Sequence, residues 1–140
     1  PKPVTITSIP CISKAKTGLV TMSKTDISKL SEIAGFIGAC LVDSETGMML
    51  AAIGGGAKFD LEAAGAANTE VVRAKLAAME QIGLNDQIED MLITLGTQYH
   101  LIRPLKDSPS VFLYVALEKK SANRGMARLN VKAVESGLAI

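Results

Sequence analysis

The chain has 140 residues, with 15 Lys and Arg side chains against 14 Asp and Glu side chains. This length fits one domain with a real core, and the balanced charge gives no support for nucleic-acid binding, which favours a clustered basic face. Tryptophan is absent and 4% of the residues are aromatic, so the core must be built from aliphatic side chains and methionine. No apolar run approaches the roughly 20 residues of a membrane helix, and we expect no membrane insertion.

The N-terminal stretch, Pro1 to Met22, is polar and contains proline, a composition typical of a mobile leader. It lacks the charged start and the apolar block of a secretion signal, and its first residue suggests that an initiator methionine was removed. Cys11 and Cys40 lie far apart in unlike contexts, so we expect a reducing, cytoplasmic location, no disulfide and a buried Cys40. The predicted domains are an N-terminal extension, residues 1–22, and a folded domain, residues 23–140.

A short amphipathic helix is predicted over Ser23 to Ala34. Thr25 is a candidate N-cap for this helix, and the apolar residues Ile27, Leu30 and Ile33 share one face. We expect this face to pack on the sheet that follows.

The next two elements form a predicted hairpin. Gly35 to Asp43 is apolar on both alternating faces, which indicates a strand covered above and below. Ser44 to Gly47 is a tight turn, and Met48 to Ile53 is the returning strand. The three glycines at 54–56 do not match the phosphate-binding pattern G-x-x-x-x-G-K-[ST], so we expect a flexible connector there.

A long helix is predicted from Asp60 to Gly83. Asp60 can cap its free N–H groups, Glu62 suits the positive end of the helix dipole, and Gly83 can supply a left-handed stop. Bulky side chains suited to covering a sheet recur at helical spacing: Leu61, Gly65, Val72, Leu76 and Met79. A second stripe consists of methyl groups: Ala63, Ala66, Ala67, Ala74, Ala77 and Ala78. The polar side between the stripes is formed by Glu62, Thr69, Arg73 and Glu80.

The alanine stripe has two interpretations. Alanine is the best helix former, so helix propensity alone would explain the stripe. Alternatively, the small side chains let another helix come very close. The residues of the stripe leave both interpretations open.

Three further strands and a terminal helix are predicted after the long helix. The strands are Ile88 to Leu95, Tyr99 to Leu105 and Val111 to Leu117, joined by short, turn-like segments. Asn123 can cap a helix that runs through Ala139. Its inward side chains are predicted to be Met126, Leu129, Val134 and Leu138.

The hairpins fix most of the strand order. The first and fifth strands are the most apolar on both faces, so both belong in the middle of the sheet. The predicted fold is therefore α/β (α+β), with a five-stranded antiparallel sheet in the order 2-1-5-4-3, the long helix on one face and the first and last helices on the other. The third strand is left at an edge, and Met91 to Thr94 is too apolar for an unprotected edge. We therefore expect the third strand to pair with another polypeptide segment.

The sequence offers little for catalysis. Its single histidine, His100, lies in a predicted strand, where a lone histidine is more often a surface or half-buried residue than a catalyst. No Cys/His cluster has metal-ligand spacing, and nothing resembles a nucleophile elbow. We predict no catalytic residue, no metal and no cofactor.

A family resemblance runs through most of the chain. The run IAGFIGACLVDSETGMMLAA, the alanine-rich helix, the strand ends YHLIRPL and VFLYVAL and the segment ANRGMARLNVKAV occur in this order. Together they resemble the Roadblock/dynein-light-chain family over about residues 30 to 139, a family that includes bacterial partners of small Ras-like GTPases. The best markers are Gly35 and Gly38, then Asp43-x-x-x-Gly47, and Ala122-Asn123-Arg124-Gly125.

The resemblance implies a profilin-like Roadblock fold and a non-catalytic homodimer. In this family the long helix and the third strand meet their copies across a two-fold axis. The implied dimer interface comprises Ala63, Ala66, Ala67, Glu70, Ala74, Ala77, Ala78, Met91, Leu92, Ile93 and Thr94. The implied function is a cytoplasmic scaffold or regulator that binds a small Ras-like GTPase or a motor-type assembly. We expect the polar side of the long helix, with Glu62, Thr69, Arg73 and Glu80, to contact that partner.

A small-molecule sensor of the PAS-like type is the alternative, because PAS-like domains share the strand order 2-1-5-4-3. Those domains usually carry several short helices between the second and third strands, which line a pocket. One long predicted helix at this position favours the scaffold. The N-terminal extension and the triple glycine depart from the family pattern, so the identity of the partner does not follow from the resemblance.

Overall fold

The computed structural model describes residues 26–57 and 59–138 of the chain. One antiparallel sheet contains five strands: β1 (Phe36–Asp43), β2 (Met48–Gly54), β3 (Met91–Thr94), β4 (Gln98–Pro104) and β5 (Val111–Glu118). Their spatial order is β2-β1-β5-β4-β3, which confirms the predicted order. The predicted N-terminal extension lies outside the described residues, as does the predicted cap at Thr25.

The strands in the middle of the sheet are buried on both faces, as their composition predicts. All residues from Val111 to Leu117 of β5 are buried, and so are those from Gly38 to Val42 of β1. On one face, Cys40, Val42 and Phe112 pack under α1 (Leu61–Gln81). The sheet can therefore hold two apolar layers without any tryptophan.

The opposite face of the sheet is covered by α2 (Arg124–Ser136) and a short 3-10 helix (Ser28–Glu32). Ile27, Leu30 and Ile33 are buried in the same core as Ala127 and Val131 of α2. This confirms the predicted layers, with the long helix on one face and two helical elements on the other.

The first helical element is a five-residue 3-10 helix, so the longer helix predicted over Ser23 to Ala34 is wrong within the described residues. The Ser28 N–H donates to Asp26 Oδ1 at 2.9 Å, and the Ser31 hydroxyl donates to the Ser28 carbonyl at 2.8 Å. Serine and aspartate side chains that bind nearby backbone groups compete with the α-helical ladder. The chain must also become extended before β1 begins, which leaves little length for a helix.

α1 begins and ends where its end signals predict. The Asp60 side chain accepts a hydrogen bond from the Ala63 N–H at 3.1 Å. At the other end, Gly83 takes a φ of +71° and its N–H donates to the Glu80 carbonyl, a left-handed stop that glycine adopts without steric cost. Neither this helix nor α2 is long and apolar enough to cross a membrane, a finding that covers the described residues.

The inward face of α2 differs from the prediction. Ala127 and Val131 are buried, whereas Met126 is 55% exposed and Leu129 is 62% exposed. Ala127, Val131 and Val134 follow one another at spacings of four and three, and this row faces the sheet. Small side chains let the helix lie close to the sheet, and the larger Met126 and Leu129 fall on its outer side.

The triple glycine at the end of β2 leads into a turn with defined hydrogen bonds. The Gly55 N–H donates to the Ile37 carbonyl at 2.9 Å, and Gly56 and Phe59 exchange two backbone hydrogen bonds. The segment therefore folds back against β1 and is not the flexible connector that its composition predicts. Its geometry sets the start of α1 over the sheet.

Candidate interaction surface

The outer face of α1 carries a stripe of small side chains. Gly65, Val72 and Met79 face the sheet and are buried, and a Cβ at Gly65 would come within 3.1 Å of Val42 Cγ2, so the helix lies very close to β1. The exposed methyl stripe on its other side consists of Ala63, Ala66, Ala67, Ala74, Ala77 and Ala78. Glu70 is also exposed, within the same stripe.

β3 is an open edge of the sheet. It pairs with β4 on one side, and within the described residues no strand pairs with its other side. Met91, Leu92 and Ile93 are half-buried and Thr94 is exposed, so the strand presents no charged side chain. An uncharged open edge is a template for pairing with another chain.

α1 packs mainly on β1 and β2, which lie in the half of the sheet away from β3. The methyl stripe and the β3 edge are therefore separate surfaces of one chain. Met91 and Ile93 of β3 belong to the core layer under α1, so both surfaces border the same face of the sheet. A second copy could contact both from that side.

The predicted partner-binding residues do not form one exposed row. Glu62, Arg73 and Glu80 are exposed. Thr69 is 2% exposed, and its hydroxyl donates to the Gly65 carbonyl at 2.9 Å. The assignment of Thr69 to the exposed polar side is wrong because the helix turns this position toward the sheet, where the hydroxyl is satisfied within the helix itself.

Arg73 joins α1 to the β1–β2 hairpin. Its guanidinium forms an exposed ion pair with Glu70 at 3.1 Å and donates to the Glu45 carbonyl at 3.0 Å. These contacts orient the side chain along the flank of the helix and leave about half of it exposed.

His100 is half-buried, as predicted, and is part of a small polar network. Its Nδ1 lies 3.1 Å from the Tyr114 hydroxyl and its Nε2 lies 2.7 Å from Gln98 Oε1. Burial lowers the pKa of His100, and burial is also the main cause that raises the pKa of Tyr114 to about 12. Both ring nitrogens contact uncharged groups, and burial favours the neutral form of the ring, which contacts Phe59 edge-on.

Cys40 is fully buried, as its position in an apolar strand predicts. Burial raises the pKa of its thiol to about 12, which keeps the sulfur protonated and unreactive. Cys11 lies outside the described residues. Among the described residues, no group of three His, Cys, Asp or Glu side chains could hold a metal ion.

A partly buried ion network lies beneath α2, and no pattern in the sequence predicts it. Arg103 Nε lies 2.6 Å from Glu135 Oε1, and Arg103 Nη1 lies 3.3 Å from Asp90 Oδ2. Arg128 binds the same Asp90 at 3.0 Å. The network joins Asp90 before β3, Arg103 of β4 and two residues of α2. These segments come together through the fold, so periodicity could not have revealed the network.

No protein-family model and no curated protein matches this chain. Among solved structures, MglB from Myxococcus xanthus is 18% identical with a TM-score of 0.68, over 81% of this chain and 87% of that one. A Roadblock/LC7 domain from Streptomyces avermitilis is 11% identical with a TM-score of 0.67, over 78% of this chain and 88% of that one. The gliding protein MglB from Thermus thermophilus is 16% identical with a TM-score of 0.65, over 81% of this chain and 82% of that one. The chain therefore has a Roadblock/LC7 fold.

Proposed function

We propose that this protein is a non-catalytic, homodimeric scaffold or regulator that binds a small Ras-like GTPase or a motor-type assembly. The proposal rests above all on the 21-residue helix α1, which exposes a stripe of six alanine methyl groups along its outer face, with Glu70 as the charged residue within the stripe. In a monomer this stripe contributes only helix propensity, whereas a close helix pair would also bury it. The Roadblock/LC7 fold, shared with a gliding protein of Thermus thermophilus, supports the regulatory role.

The dimer would use the methyl stripe and the β3 edge together. Alanine side chains permit a short distance between helix axes, and the open strand offers unpaired backbone groups to a copy of itself. Met91 and Ile93, half-buried in one chain, would then become fully buried. Apolar contact near the two-fold axis would supply most of the affinity.

The partner would bind across the paired helices, where Glu62, Arg73 and Glu80 remain exposed at the flank. Charges at the rim of an interface mainly set encounter rate and register. Arg73 is suited to this role because its contact with the Glu45 carbonyl holds it in place before binding. The surface would thus combine an apolar ridge with fixed charges beside it.

The experiment measures binding of small GTPases from the native host, in the GDP state and in the state with a GTP analogue. Arg73→Glu and Glu80→Lys are each expected to weaken binding by about 2 kcal/mol if their charges are desolvated in the complex. Glu32→Lys, on the exposed side of the 3-10 helix, is the matched control and should stay within about 0.5 kcal/mol. Unchanged affinity of both α1 variants in both nucleotide states would contradict the proposed surface.

The PAS-like sensor is less consistent with the architecture. β2 and β3 are connected through one continuous helix of 21 residues, whereas several short helices are usual in that class. The interior between α1 and the sheet is closed by Val72, Ile102 and Phe112.

A further inference from the structure

A cavity of about 340 Å³ opens at the end of the sheet where β4 turns into β5. One wall is the C-terminal half of α1, and a second is the connector formed by residues 84–90, which runs from α1 to β3. The turn around Lys106 and the α2 residues Lys132 and Glu135 complete it. This volume is in the range of small-molecule sites, roughly 300–1,000 Å³.

The lining of the cavity includes aliphatic side chains. Leu76 belongs to the stripe of α1 predicted to face the sheet, yet it is 46% exposed. Leu76 lines the cavity together with Val72, Ile88 and Leu105. A ligand with an aliphatic body would bury apolar area that the chain leaves open.

The lining of the cavity carries both positive and negative side chains. Arg103 and Glu135 satisfy each other at 2.6 Å. The connector carries the carboxylates of Asp86 and Glu89, whereas Lys106 lies on the turn after β4 and Lys132 on α2. All four are exposed residues that line the cavity. None of these four side chains forms an ion pair within the described part of the chain.

We propose that this cavity binds a zwitterionic aliphatic ligand, namely an aliphatic amino acid or a short apolar peptide with free termini. The ligand's ammonium group would face Asp86 and Glu89, its carboxylate would face Lys106 and Lys132, and its aliphatic part would lie on Leu76. A plain anion would be repelled by the connector, and a plain cation by the two lysines. A dipolar ligand matches both walls at once.

The test is a chemical-shift titration of the full-length, isotope-labelled protein with leucine and with leucyl-leucine. Comparing the two ligands shows whether the cavity prefers an amino acid or a short peptide. N-acetyl-leucine and leucinamide each remove one charge from leucine. Loss of one charged contact is expected to weaken binding roughly tenfold. Lys132→Ala should weaken the binding of leucine but not that of leucinamide. Glu89→Gln should weaken the binding of leucine but not that of N-acetyl-leucine.

Two controls accompany these variants. Lys120→Ala removes an exposed lysine outside the cavity and should leave binding unchanged. Leu76→Trp should fill the cavity and abolish binding while the spectrum stays that of a folded protein. The proposal is overturned if neither leucine nor leucyl-leucine shifts signals at about 10 mM, where even millimolar affinities register. It is equally overturned if both capped forms bind as tightly as leucine.

Discussion

Arg103 is the residue on which the ion network beneath α2 depends. It bridges Glu135 and Asp90, and the three side chains are between 10% and 14% exposed. Arg103→Ala would leave Glu135 with the Lys106 N–H as its remaining hydrogen-bond donor, whereas Asp90 keeps Arg128. We therefore expect a loss of about 2–3 kcal/mol in the free energy of unfolding at pH 7. Urea denaturation measures this loss. Arg73→Ala, which breaks a pair exposed by about half, is the control and should cost no more than about 1 kcal/mol.

Glu135 makes the same network sensitive to acid. Burial tends to raise the pKa of its carboxyl, but the hydrogen bonds from Arg103 and from the Lys106 N–H outweigh burial, and the pKa lies below its ordinary value of 4.5. A carboxyl whose folded-state pKa is depressed stabilises the fold above its unfolded pKa, and this stabilisation is lost as the pH falls through the folded value. We therefore expect the unfolding free energy of the wild type to decrease below about pH 4.5 more steeply than that of Glu135→Gln. If the unfolding free energies of the two proteins change in parallel from pH 7 to pH 3, this expectation is wrong.

At the scale of elements, α1 could be predicted closely and α2 could not. The caps at Asp60 and Gly83 predict the bounds of α1, and the spacing of its bulky residues predicts most of its buried face. Two positions differ from the prediction, since Thr69 is buried and Leu76 is 46% exposed. α2 has fewer apolar residues, and its sequence fits more than one inward row. The small Ala127 faces the core and the larger Met126 does not, because the distance between helix and sheet decides which row fits, and that distance cannot be read from periodicity.

The methyl stripe of α1 gives a direct test of self-association. Ala74→Glu places a carboxylate at the centre of the proposed helix pair and should convert a dimer into a monomer, because burying an unpaired charge costs several kcal/mol. Light scattering coupled to size exclusion measures the mass. Ala133→Glu introduces the same charge at an exposed position of α2 and should leave the mass unchanged. A wild type that is monomeric, or an Ala74→Glu protein that stays dimeric, would show the interface to be wrong.

At the scale of the whole molecule, the strand order was predictable because three hairpins and two doubly apolar strands leave few arrangements. The ion network and the cavity were not predictable. Asp90, Arg103 and Glu135 carry no shared motif, and their contact arises because β3 and β4 pair and α2 returns across them. Positions whose role depends on distant segments of the chain are therefore visible only after the fold is known.

The two open edges of the sheet should differ in solution. β2 and β3 are both edge strands without a charged residue, but only β3 belongs to the proposed dimer. Amide hydrogen exchange of the wild type should then show the slowest exchange in β1 and β5, which are paired on both sides and buried on both faces. Protection of β3 should fall in the Ala74→Glu variant, while protection of β2 should stay the same in both proteins. If β2 loses protection instead, the chains pair through the other edge, and if neither strand changes, the sheet takes no part in the dimer.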